Sequence, residues 1–186
     1  MLTYNDFATR RSARKYTDQL IPLESIKELL KCGTSAATGS NQQPWGFVLI
    51  QDRHEISRLN AITKEYLKAN LEKLPYLAQY SKWLNNPEIS LFHHAANLLV
   101  IYGNPESHWY VYDCSMAAAN IMLAAAHQGI GSCWIGFAEH TLNTPEFKAK
   151  YQVPAGWELV CPMTLGYTFG EAKAAPHRKD PVIFNL

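Results

Sequence analysis

The sequence predicts an α+β fold: a mixed central β-sheet surrounded by helices, formed as one domain over residues 1–186. Three observations predict it. Short apolar runs of strand length ("PWGFVLIQ", "NLLVIYG", "SCWIGF", "WELVCPMTLGYT") alternate with stretches of helical periodicity. One stretch, "DCSMAAANIMLAAAHQG", is apolar on almost every helical face, which suits an element central to a domain or packed against another subunit. No internal repeat or low-complexity linker divides the chain, and 186 residues match the usual length of one domain.

The elements follow in order. Thr3-x-x-Asp6 has a helix-start capping pattern, predicting a short helix from Thr3 to about Arg10. Pro22 suits a first turn, and Leu23, Ile26, Leu29 and Leu30 recur at helical spacing, so a second helix should end near Gly33 or continue weakly to Ala37. "PWGFVLIQ" reads as a strand. Residues 54–83 read as mainly helical, with a break or kink at Pro75. "NLLVIYG" is a strand buried on both faces. In the Ala-rich helix, Asp113 is placed to cap the start and Gly129 to end it. Thr144-Pro145-Glu146 starts a short helix, and "WELVCPMTLGYT" is the last long strand. The tail is irregular until "PVIFNL", a candidate edge strand for this chain or a partner.

Charge excludes some functions. The chain holds 17 Lys+Arg against 16 Asp+Glu, a net charge of +1. A general nucleic-acid binder needs a basic face, and an anionic membrane needs a cationic one, so neither partner is expected. The N-terminal stretch lacks the apolar core of a signal peptide, and the apolar runs are too short to span a bilayer. Cys32, Cys114, Cys133 and Cys161 are widely spaced, which predicts reduced thiols in a cytoplasmic protein.

Against that near-neutral background, "RRSAR" concentrates three guanidinium groups in residues 10–14. If the helix continues, Arg10 and Arg14 are i, i+4 neighbours. If it has ended, backbone N–H groups around Ser12 are available. Either way the segment suits a phosphate, which carries a charge of about −1.5 to −2. A solvated helix end is the plain alternative. "ATGSNQQPW", residues 37–45, is a polar loop whose amides and hydroxyls can read a heteroatom-rich ring, or it is an ordinary turn. The glycines of "GIGSCWIGF" allow a ligand close to the backbone. "HRK", residues 177–179, is a second small basic cluster that by itself reads as solvated tail. His93-His94 reads as packing beside a strand, with the two rings on opposite faces and no shared metal. No G-x-S-x-G, H-E-x-x-H or Walker loop is present.

These motifs, in this order and along almost the whole chain, resemble the FMN-dependent nitroreductase family. The carrying pieces are "RRSAR", "ATGSNQQPW", "AANIMLAAAHQGIGSCWIG" and a basic residue near the C-terminus. Members commonly have Pro-Ser where this chain has Ala37-Thr38, and Thr38 keeps the hydroxyl. The resemblance implies an intertwined homodimer with two FMN sites at the subunit interface. It implies that Arg10 and Ser12, helped by Arg11, bind the FMN phosphate. Arg14 would reach the ribityl chain or the N1–C2=O edge, and Arg178 would complete the phosphate clamp, with His177 or Lys179 as alternatives. Thr38, Gly39 and Asn41 would come from the other subunit, with Gln43 holding the loop or touching the ring. Ile135 and Gly136 would offer backbone contacts near N5. Asn70 and Lys73 form a weaker pair for the pyrimidine edge.

The implied mechanism is ping-pong. NADH or NADPH delivers hydride to FMN and leaves, and a small aromatic acceptor (a nitroaromatic, a quinone or another flat molecule) takes the electrons. The flavin carries the hard chemistry, so no side chain is assigned a catalytic role. Other branches of the family carry out enone reduction, reductive dehalogenation or flavin destruction. Residues 64–86 would form the substrate lid, with Tyr66, Tyr76, Tyr80 and Trp83 as lining or packing residues.

Overall fold

The computed structural model describes residues 3–170 and 175–184. The chain opens on α1 (Tyr4–Thr9), where the Asp6 carboxylate accepts from the Thr3 backbone N–H at 2.6 Å and from its hydroxyl at 2.9 Å. The helix stops at Thr9, and Arg10 turns extended with ψ 131°. α2 (Leu23–Thr34) follows Pro22 and buries Ile26 and Leu29. After β1 (Trp45–Ile50) comes α3 (Arg53–Ala69), capped by the Asp52 carboxylate on the His54 and Glu55 amides.

The helical stretch is broken earlier than expected, since α3 ends at Ala69, ahead of Pro75. A 3-10 turn, Pro75–Tyr80, then leads into the short α4 (Ser81–Asn85). β2 (Asn97–Gly103) is buried at every position, as its composition predicts. α5 (Tyr110–His127), β3 (Ile130–Trp134), α6 (Pro145–Lys150) and β4 (Glu158–Tyr167) complete the order. Thr144 caps α6 by accepting from the Phe147 amide at 3.3 Å.

The strand order is β1-β2-β4-β3, and every ladder is antiparallel. Parallel pairing among the described residues is confined to an isolated bridge, Ser12 with Ser132. Strand alternation separates two cores. Leu99 and Ile101 of β2 point towards α2 and α5 and pack with Ile26, Leu29, Ala118 and Ile121. Leu98, Val100 and Tyr102 point the other way and pack with Ile56 and Leu59 of α3 and Phe147 of α6. A third, smaller core lies under residues 75–91, where Leu67, Leu77, Leu84 and Leu91 meet.

One expectation changes. Asp113 does not start α5, which begins three residues earlier with Trp109 at its N-cap. α2 ends at Thr34, close to Gly33 as expected, and a Cβ on Gly33 would come within 2.7 Å of Ile121 Cγ1. The glycine lets α2 and α5 approach closely. Val182, Ile183 and Phe184 pair with no strand among the described residues and are exposed, Phe184 by 96%. Residues 185 and 186 of the "PVIFNL" segment lie outside the described residues. No helix of the described residues is long and apolar enough to cross a membrane.

Candidate functional site

The helical alternative for "RRSAR" is excluded by its path. The segment leaves α1 at Arg10 and runs extended along β3: the Ala13 amide donates to the Ser132 carbonyl at 2.9 Å, and Ser12 forms the parallel bridge. Four residues on, the Thr17 amide donates to the Tyr167 carbonyl at 2.8 Å. The buried Tyr16 hydroxyl locks the stretch, donating to the Ala13 carbonyl at 2.8 Å and lying 3.0 Å from the Thr164 hydroxyl. Burial raises the Tyr16 phenol well above its usual range, so it stays a neutral donor.

An extended backbone alternates its side chains with period two. Arg10, Ser12 and Arg14, spaced by two, all lie near enough to Cys133 of β3 to act on its thiol. Cys133 on β3 registers that arrangement. Burial raises its thiol pKa, while the Arg14 charge, a Ser12 hydrogen bond and the Arg10 charge all pull it back down. Three residues spaced by two thus converge on one point of β3.

Beside that point is a cavity of about 520 Å³. Arg14, Cys133, Ile135 and Gly136 line it, as do Tyr76, Tyr80 and Trp83. Gly136 follows β3, and a Cβ built on it would meet nothing within 4 Å, so its backbone opens onto the space. The Tyr80 and Phe137 rings meet edge to face with centroids 5.0 Å apart, which ties residues 75–85 to the turn after β3. Two side chains of α3 hold the far end of that segment. Buried Lys64 donates to the Asn86 carbonyl at 2.6 Å, and Asn60 accepts from the Leu91 amide at 2.8 Å.

The polar loop lies elsewhere. The Gly39 amide donates to Asp113 Oδ1 at 3.1 Å, beside the start of α5. Ser40, Asn41 and Gln43 all have positive φ (50°, 54° and 48°), and the loop is bound by its own side chains. Thr38 Oγ1 accepts from the Gln43 amide at 3.3 Å, and Gln43 Nε2 donates to Asn41 Oδ1 at 3.1 Å. Gln43 holds the loop here. Thr38, Gly39 and Asn41 do not line the cavity of their own chain. The same is true of Asn70, whose amide donates to the Tyr66 carbonyl at 2.9 Å, and of the exposed Lys73. Arg178 sits exposed in the tail.

Sequence reasoning missed three cavity residues. His93, Leu91 and Glu139 also line it. His93 is not on a strand. It occupies a turn before β2, where His93 and His94 have φ of 55° and 54°. The doublet "HH" was visible, but its turn conformation depends on packing of Leu91 and Phe92, both buried. Among the described residues no cluster of His, Cys, Asp or Glu could hold a metal ion.

A protein of Archaeoglobus fulgidus with the provisional name NADH dehydrogenase/NAD(P)H nitroreductase is 31% identical over 164 residues, covering 86% of this chain and 81% of that protein. Iodotyrosine deiodinase 1 of Sus scrofa is 25% identical over 187 residues, covering 93% of this chain and 63% of its own length. A solved nitroreductase with bound FMN from Bacteroides fragilis superposes with a TM-score of 0.75 at 26% identity, covering 97% of this chain and 94% of that one. The family model described as Nitroreductase matches residues 7–167, which takes in the Arg10–Arg14 strand, the 38–43 loop and all four sheet strands, and the chain belongs to the nitroreductase family.

Proposed function

We propose that this protein is an FMN-dependent oxidoreductase that takes hydride from NADH or NADPH and passes the electrons to a nitroaromatic, quinone or similarly flat acceptor. The observation that carries the reading is the grouping of Arg10, Ser12 and Arg14 around Cys133, which lines the 520 Å³ cavity with Arg14. The residues fit FMN. Two guanidinium groups and a hydroxyl suit a phosphate and an electron-rich ring edge, and the open backbone at Gly136 leaves room for a flat ring.

When bound, FMN supplies a hydride-accepting N5 and a store for two electrons. The chain supplies the rest. Arg10 and Ser12, with Arg11, hold the phosphate, and Arg178 completes the clamp. Arg14 would supply a cation for the N1–C2=O edge of the ring, which carries negative charge in reduced flavin. Ile135 and Gly136 offer main-chain contacts at the reactive centre. The aromatic segment 75–85 covers the acceptor side and excludes water. Asn70 and Lys73 would be a weaker pair for the pyrimidine edge.

The reading includes a homodimer. Thr38, Gly39 and Asn41 lie away from the cavity of their own chain, so a second copy is the source that would bring this loop to the site. Trp109, Val111, Tyr112 and Met116 along α5 are exposed, as are Tyr4 and Phe7 of neighbouring α1, and this apolar surface suits burial against that copy. Reductive dehalogenation is a second reading, favoured by the likeness to iodotyrosine deiodinase.

Absorption spectroscopy tests the proposal. Purified protein should be yellow, bleach with NADH or NADPH, and recover its colour on addition of a nitroaromatic. Colourless protein that fails to take up FMN would overturn it. Release of iodide from 3-iodotyrosine, with no turnover of nitroaromatics, would select the second reading.

A further inference from the structure

We propose that His93 is a specificity-determining residue of the acceptor site, donating a ring N–H to an oxygen attached to the acceptor's flat ring. The inference rests on the oxidoreductase reading above and names a residue that sets its substrate class.

The geometry comes first. His93 reaches the cavity from the turn that enters β2, beside Leu91. That turn is tightly held. The His93 amide donates to the Ser90 carbonyl at 3.0 Å and the Ala95 amide to the Phe92 carbonyl at 3.0 Å. Ser90 Oγ accepts from the Phe92 amide at 3.2 Å. Phe92 and Leu91 are buried below the turn, at 0% and 2% exposure. Two successive non-glycine residues, His93 and His94, adopt left-handed φ of 55° and 54° there. Such backbone is unfavourable and persists only where its surroundings impose it.

The pair then divides. The His94 ring is exposed and lies 3.3 Å from the Glu88 carbonyl. The His93 ring is half-buried at the cavity wall and hydrogen-bonds to no other described residue. It is a polar group fixed at a site otherwise walled largely by aromatic and aliphatic side chains.

The charge state suits a selective donor. Burial, with the Arg14 guanidinium and His94 nearby, pushes the His93 pKa down to about 4. Around neutral pH the ring is uncharged, with one N–H donor and one nitrogen acceptor. A neutral donor gains little from an ionic ligand beyond what Arg14 already offers. It favours a neutral acceptor carrying a carbonyl, nitro or quinone oxygen, while Tyr76, Tyr80 and Trp83 cover the ring faces. A purely hydrocarbon ring would leave the imidazole desolvated and unpaired, which is how a polar site rejects an apolar analogue.

The test uses oxidised, FMN-loaded protein with no NAD(P)H, so that nothing turns over. Nitrobenzene is titrated while tryptophan fluorescence is followed, since Trp83 and Trp134 line the cavity. Isopropylbenzene, which has a similar shape and no oxygen, is measured by competition. His93→Leu should weaken nitrobenzene binding about threefold to tenfold while leaving isopropylbenzene binding unchanged or tighter. His93→Gln keeps an N–H donor and should recover most of the nitrobenzene affinity. Equal losses for both ligands would make His93 a packing residue and overturn the proposal. So would unchanged nitrobenzene binding, or loss of FMN from His93→Leu. Wild-type protein that takes up FMN but is not bleached by NADH or NADPH would instead overturn the oxidoreductase reading.

Discussion

Asp113 Oδ1 accepts a hydrogen bond from the Gly39 amide at 3.1 Å, joining two residues 74 apart in sequence. Asp113 is buried, and its second oxygen, Oδ2, has no hydrogen-bonding partner among the described residues. A Cβ on Gly39 would come within 2.4 Å of Trp109 Cδ1. The strained 38–43 loop is therefore seated on the first turn of α5 by one carboxylate and one glycine. Removing the acceptor leaves a buried N–H unpaired, which costs about 1–3 kcal/mol. Asp113→Leu should lower the free energy of unfolding by that amount and weaken FMN binding, whereas Asp113→Asn, which keeps an oxygen acceptor, should lose far less. Urea unfolding and FMN titration of both variants check this.

Arg10 and Arg14 both lie near Cys133 but should fail differently. Arg10→Ala and Arg178→Ala should each weaken FMN binding by about 1.5–3 kcal/mol, the range for a lost hydrogen bond to a charged group. Riboflavin has no phosphate, so its weaker binding should be little affected by either change. Arg14→Ala should retain FMN better than Arg10→Ala while lowering the flavin potential, because the oxidised ring is neutral and the reduced ring is negative at that edge. A potentiometric titration showing an unchanged potential together with lost FMN would move Arg14 into the phosphate clamp.

Glu55 ties α3 to α6. Its carboxylate accepts from Arg58 Nε and Nη2 at 2.8 Å each, from Lys150 Nζ at 2.7 Å and from the Tyr151 hydroxyl at 3.0 Å. The Arg58 hydrogen bonds lead in holding its pKa down from 4.5 to about 2, against a burial effect that raises it. A depressed folded-state pKa contributes stability that is complete above the unfolded value. That contribution should be lost as pH falls from about 4.5 to about 2. Wild-type protein should lose more stability over this window than Glu55→Gln in urea unfolding at stepped pH.

Size measurement tests the dimer. Sedimentation of FMN-loaded protein should give twice the 21.0 kDa chain mass. Met116→Glu and Tyr112→Glu place charge on the exposed apolar face of α5 and should shift the protein towards monomer, with loss of FMN. A stable monomer that retains FMN would remove the 38–43 loop of a second copy from the site.

The residues themselves determined the element types wherever the signal was local. The "NLLVIYG" strand and the Thr144 cap depend on side-chain size and a capping oxygen, properties of a few adjacent residues. The tertiary structure decided what distant contacts control. Whether Arg10 to Arg14 continued as helix or ran extended was open locally, and it was settled by the edge of β3, which offered the Ser132 carbonyl as a partner. Asp113 read as a helix cap because no local signal reveals an amide 74 residues away. His93 read as packing because adjacent strand residues would face opposite ways. Two left-handed residues over a buried Phe92 instead turned one of its rings into the cavity. Local composition sets which groups are available, and long-range backbone pairing and burial set where they point.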